Sequence, residues 1–158
     1  MIPLGEFREQ LQALIPVLQL WPKCLSVHAS LNGEALIGLA EHPTLAFYTY
    51  EFEIGYSQTY QEPRLIFKIW EATTEQGAEL QRPCFPADLS RLMNVQDFSI
   101  GLDHLHEARK DSWFSVHACD TSHIVGSVKH HYLKRWASVY LSLFDPCFSN
   151  TYLFVDDV

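Results

Sequence analysis

The chain has 158 residues, 47% hydrophobic and 13% aromatic, a composition that suits one folded domain with an ordinary core and excludes a disordered chain. With 11 Lys and Arg against 19 Asp and Glu, the net charge is −8, so the basic face that phosphates require cannot readily be assembled and nucleic acid is not an expected partner. No apolar run approaches the roughly 20 residues of a bilayer-spanning helix, and no signal-peptide pattern opens the chain; a cytoplasmic protein with no transmembrane segment is expected.

Leu4, Phe7, Leu11, Leu14, Ile15 and Leu18 form a helical stripe that Pro3 can begin, while Pro16 predicts an end or kink near Ala13 to Ile15. Strand signals follow. Leu25, Val27, Ala29 and Leu31 alternate into a two-residue Asn32-Gly33 hairpin, and Ala35 to Leu39 returns. Tyr48, Tyr50, Phe52, Ile54 and Tyr56 line one face of a long strand whose other face carries Glu51, Glu53 and Ser57. After Glu62-Pro63, Leu65, Phe67 and Ile69 begin the next strand. A loop is expected at Thr74 to Gly77, irregular chain at Pro83 to Pro86 and a short helix over Ala87 to Met93. Trp113 to Val116 mix aromatic and β-branched types and read as extended, and Asp120, Thr121 and Ser122 are turn and cap formers.

The last predicted helix runs from His131 to Phe144, with Leu133, Trp136, Ala137, Tyr140, Leu141 and Phe144 on one face and Asp145-Pro146 as its stop. Tyr152 to Val155 read equally as a final strand or a flexible end. With no linker, repeat or low-complexity tract, the expectation is a single α+β domain over 1–158 with a possible extension from 146 to 158.

Four cysteines, at 24, 84, 119 and 147, have no CxxC pairing and read as cytosolic thiols. Cys119 stands where a β-rich run meets a polar turn, a place from which a thiol is reachable, although spacing alone favours a buried cysteine. His104, His106, His130 and His131 with Cys119 lack a CxxC or HxxxH frame, so no metal is expected. No glycine-rich phosphate loop and no Gly-x-Ser-x-Gly elbow occurs, and no cofactor is expected.

His117-Ala118-Cys119-Asp120-Thr121, Ile124-Val125-Gly126 and Tyr132-Leu133-Lys134-Arg135-Trp136 resemble the active-site region of the autophagy-related protein 10 family. Met1-Ile2-Pro3, Tyr60 to Pro63, Leu65 to Glu71 and Gly101-Leu102-Asp103 extend the resemblance to about Phe144. It implies a ubiquitin-conjugating-enzyme-like fold: an N-terminal helix, an antiparallel meander, a catalytic loop and a C-terminal helix. It also implies an enzyme that accepts autophagy-related protein 12, the carrier, from the autophagy activating enzyme as a thioester on Cys119 and passes it to a lysine of autophagy-related protein 5. Ala118 departs from the proline usual in that family, which leaves the turn less rigid. No His-Pro-Asn precedes Cys119, so the asparagine that ubiquitin-conjugating enzymes place by the nucleophile is missing.

Around the nucleophile, His117 reads as a base or, better, as a residue that holds the loop, and Asp120 and Thr121 read as helix caps that also stand where an incoming lysine would be oriented. Tyr56 reads as core, with a phenol that reaches the catalytic loop if its strand end lies beside it. Two other classes remain at this point: a cysteine hydrolase of isopeptides or thioesters, and an inactive conjugating-enzyme-like adaptor.

Overall fold

The structure, a computed structural model, describes residues 1–95, 98–103, 111–117, 121 and 125–148. Helix α1 (Leu4–Gln19) is followed by strands β1 (Cys24–Ala29), β2 (Leu36–Glu41), β3 (Tyr48–Ser57), β4 (Glu62–Glu75), β5 (Ala78–Cys84), β6 (Ile100–Asp103) and β7 (Trp113–Val116), and then by helix α2 (Tyr132–Tyr140). The sheet is antiparallel, in the order β1-β2-β3-β4-β7-β6, with β5 pairing β4 off that path. An N-terminal helix, an antiparallel sheet and a late helix are the expected α+β, ubiquitin-conjugating-like architecture.

The two helices cover one face of the sheet. There Tyr50, Phe52 and Ile54 of β3 and Leu65, Phe67 and Ile69 of β4 meet Phe7, Leu11, Leu14 and Leu18 of α1 and Leu133, Trp136 and Tyr140 of α2 in one buried core. Phe144 stacks on Tyr50 at 4.8 Å between ring centroids and meets Phe67 edge-on at 5.3 Å, so the segment after α2 closes over the middle of the sheet. The chain then enters the core once more through Phe148, 4.8 Å from the Trp21 ring, while the Trp21 indole donates to buried Asp145 at 2.9 Å.

Several expectations needed correction. Helix α1 runs through Pro16 to Gln19 without ending near Ala13 to Ile15. Pro16 is on the exposed side, where water can satisfy the carbonyl it deprives, and the buried stripe of Phe7, Leu11, Leu14 and Leu18 continues past it. The hairpin after β1 spans six residues, 30–35, because Ser30 and Asn32 side chains accept from the amides of Ala35 and Glu34 and build a wider loop than Asn32-Gly33 alone would make. The irregular chain expected around Pro83 is the end of strand β5. Ala87 to Met93 yields only a single 3-10 turn, Leu89–Arg91, capped by Asp88. The last helix is shorter than His131 to Phe144: α2 stops at Tyr140 and tightens into a 3-10 turn over Leu141–Leu143.

Candidate functional site

The short strand β7 delivers the chain to the site. Its register is Ile66 opposite Ser115 and Phe67 opposite Phe114 on the β4 side, and Ile100 opposite Val116 through Asp103 opposite Trp113 on the β6 side. Phe114 stacks on Phe67 at 5.2 Å, and Phe114 and Val116 point into the core. Just beyond the strand, the amide of His117 donates to the Ser99 carbonyl at 2.8 Å, so backbone pairing extends to two residues before Cys119. Cys119 and Asp120, with Ala118, lie outside the described residues.

Because β7 runs antiparallel to β4, its exit lies at the end of the sheet where β3 turns into β4, and this brings to the site a residue that the sequence showed only as part of the Tyr60 to Pro63 turn. Tyr60, in that turn and 44% exposed, has its ring 6.3 Å from the exposed His117 ring. The topology itself was the missing signal: Tyr60 and His117 are far apart in sequence and meet only if β7 inserts beside β4.

The turn is well braced. Gln61 takes a left-handed φ of 51°, and its carbonyl accepts from the Ile2 amide at 2.9 Å. Tyr56 donates its hydroxyl to the Ile2 carbonyl at 2.7 Å and packs against Phe7 at 5.2 Å between ring centroids. Burial and the neighbouring Glu62 carboxylate push the Tyr56 phenol above its ordinary range. Glu62 itself is buried, accepts from the Tyr132 hydroxyl of α2 and pairs with the Met1 ammonium at 2.7 Å. Thr121 is fully buried and its hydroxyl lies 2.8 Å from the Tyr140 hydroxyl, which ties the chain after Cys119 to α2.

Of the expected residues, the described ones take two settings. His117 is exposed at the β3–β4 end of the sheet, beside Tyr60, whereas Tyr56 is tied to Ile2 and Thr121 to Tyr140. Among the other thiols, burial raises Cys24 and, with help from Glu71, Cys84, which disfavours the reactive thiolate at both. Among the described residues no group of three or more His, Cys, Asp or Glu comes together as a metal site; His130 and His131 have ring centroids 3.8 Å apart, and the other members of the imagined set lie outside those residues.

Residues 26–151, most of the chain and the stretch that holds Tyr56, Tyr60, His117 and Thr121, match the family described as autophagocytosis associated protein, active-site domain. The chain belongs to this family. Among its relatives are the ubiquitin-like-conjugating enzyme ATG10 of Saccharomyces cerevisiae, 32% identical over 89% of this chain and 95% of the relative, and that of Kluyveromyces marxianus, 31% identical over 92% and 97%. Two solved structures have the same architecture. KmAtg10 in solution superposes with a TM-score of 0.80 at 28% identity, covering 94% of this chain and 99% of that one. A crystal structure of an autophagic E2, Atg10, gives 0.74 at 32% identity over 95% and 98%. Members of this family are conjugating enzymes for ubiquitin-like proteins, and the chain is an enzyme of that class.

Proposed function

We propose that Cys119 is the nucleophile of this conjugating enzyme, that its carrier is autophagy-related protein 12 and that its target is a lysine of autophagy-related protein 5. The single observation that carries the reading is the exposed His117 beside Tyr60, at the braced end of the sheet and two residues before Cys119, within the stretch that matches the family's active-site domain. The Cys119 thiolate attacks the carrier's terminal carbonyl carbon, held as a thioester on the activating enzyme. A new S–C bond forms, the old one breaks, and the activating enzyme's thiolate leaves; one thioester replaces another at little cost in free energy.

A target lysine, deprotonated to the free amine, then attacks the same carbon; the nitrogen gives up a second proton to solvent, and collapse of the tetrahedral oxyanion breaks the S–C bond, expels the Cys119 thiolate and leaves an amide. His117, fixed by its amide on Ser99 and its ring beside Tyr60, acts as the residue that holds the loop. Asp120 orients the incoming lysine, Thr121 anchors the returning chain on Tyr140, and Tyr56 supports the site through Ile2 and the turn that carries Tyr60.

The test is a gel with and without reductant after incubation with activating enzyme, carrier and ATP. Cys119→Ala abolishes the reductant-sensitive adduct, and Cys24→Ala, Cys84→Ala and Cys147→Ala retain it. Cys119→Ser traps an oxyester that resists reductant and does not pass the carrier on. Charging that survives Cys119→Ala overturns the assignment; release of free carrier with no transfer to the target marks a hydrolase, and no adduct with the wild type marks an adaptor.

A further inference from the structure

The sheet face opposite the helices holds a buried cation. Lys68 alternates with the core residues Phe67 and Ile69 on β4, so its side chain lies on the other face, yet the residue is only 6% exposed. Its ammonium pairs with Asp111, whose side chain is 44% exposed, and sits 5.5 Å from the Trp70 ring centroid and 5.1 Å from that of Trp113. The Trp113 indole donates to the other oxygen of Asp111, and the Trp70 indole donates to Glu51 at 3.2 Å. A lysine so placed needs its anion on this face, because an ammonium removed from water without a partner is costly.

Asp111 and Trp113 belong to the run that opens β7. That strand has four residues and pairs with β4 at two positions, Ile66 opposite Ser115 and Phe67 opposite Phe114. A slip of one residue would turn every side chain of β7 to the opposite face: Phe114 and Val116 would leave the core, and Trp113, Ser115 and His117 would turn toward it. Glu51, opposite Lys68 on β3, is on this face too but accepts from the Trp70 indole, and Asp111 and Trp113 reach the ammonium in the register that keeps them on the Lys68 face. The same alternation puts His117 on the outer side, where it meets Tyr60.

We propose that Lys68 and Asp111 are a positioning pair for the acyl-transfer reaction, a register lock on β7 that sets the face His117 presents as the chain leaves the strand toward Cys119. The pair is remote from the reacting atoms and acts through β7. The inference rests on Cys119 being the nucleophile.

Its test is single-turnover discharge of preloaded enzyme onto target, a rate constant that does not depend on how much of the sample is folded, for the wild type, Lys68→Met, Lys68→Arg, Asp111→Asn and the Lys68→Met/Asp111→Asn double variant, with Cys119→Ala charged in parallel. Lys68→Met and Asp111→Asn are each expected to slow discharge roughly ten- to a hundredfold with an unchanged half-saturating target concentration, the effect of displacing a reacting group by a fraction of an ångström or more. The double variant is expected to be no slower than Lys68→Met, and Lys68→Arg, which keeps the charge, to recover most of the rate. Wild-type discharge by folded Lys68→Met, or a Lys68→Arg variant as slow as Lys68→Met, overturns the lock. Should Lys68→Met not fold, Asp111→Asn decides, since its side chain is partly in solvent, and a wild-type rate overturns the proposal. Charging that survives Cys119→Ala removes the nucleophile assignment instead and is read from a separate lane.

Discussion

Tyr56 and Tyr60 both stand at the β3–β4 end of the sheet, and their contacts separate their roles. Tyr56 already gives its proton to the Ile2 carbonyl, so donating to an oxyanion would cost it that bond; Tyr60 is the one in ring contact with His117. Tyr56→Phe is expected to lower stability by about 1 kcal/mol, one hydrogen bond, and to leave single-turnover discharge close to wild type. Tyr60→Ala, at a half-exposed position, is expected to leave stability nearly untouched and to slow discharge by about tenfold, because His117 loses its neighbour. Denaturant unfolding and thioester discharge measured on both variants check the assignment; slow discharge in folded Tyr56→Phe with normal discharge in Tyr60→Ala reverses it. The thiols add a second check. Burial raises Cys24 and Cys84, so iodoacetamide near neutral pH is expected to modify both more slowly than a free cysteine, as peptide mapping of the alkylated protein would show.

At the scale of elements, what was legible is what repeats. The α1 stripe and the alternation from Tyr48 to Tyr56 both persist over many residues and both became core, because a helix or strand with one apolar face has one way to bury it. Strand β5 carries no such pattern: six of its seven residues are exposed, and its pairing with β4 is a backbone ladder that side-chain periodicity does not record. β6 has four residues, mostly exposed, and exists through β7.

Gly38 shows how closely the elements fit. It lies opposite Phe52 in the β2–β3 register, and a Cβ built on it would come within 2.2 Å of the Phe52 ring. That ring is held from behind by Trp21 at 6.2 Å and Phe144 at 5.6 Å, so it has nowhere to go. Gly38→Ala is expected to cost about 1–3 kcal/mol, the usual toll of overpacking, read as a lower denaturant midpoint with an unchanged slope. Gly5, with open space around its Cβ direction, is the matched control and should lose no stability on replacement by Ala.

On the scale of the whole molecule, the site was half legible. His117 and Cys119 stood out because a β-rich run meeting a polar turn is a local pattern, whereas Tyr60, Lys68 and Asp111 matter only through the strand order β3-β4-β7, which no local pattern encodes. The same long-range packing ties the buried phenols to global stability. Tyr50 is fully buried, donates to the Leu92 carbonyl at 2.5 Å, and is pushed well above the ordinary range by burial. Tyr132, also fully buried, is raised by burial first and then by its hydrogen bond to Glu62 and that carboxylate's charge, with Arg135 opposing.

The charged form of a phenol is the anion, so a raised value means that the folded protein keeps a proton the unfolded chain has released. Stability from these groups is therefore fully present below the unfolded value of about 10 and declines above it, by about 1.4 kcal/mol per pH unit for each phenol that stays protonated. Alkaline titration followed at 295 nm is expected to show Tyr50 and Tyr132 ionising only together with loss of the near-ultraviolet circular dichroism of the folded core. Tyr132→Phe removes one such group and one partner of Glu62. Its alkaline unfolding is expected to be less steep in pH than that of the wild type, while its stability near neutral pH falls because a buried carboxylate has lost a donor. Reversible ionisation of Tyr50 and Tyr132 with native circular dichroism intact would show that neither phenol is held as the structure places it.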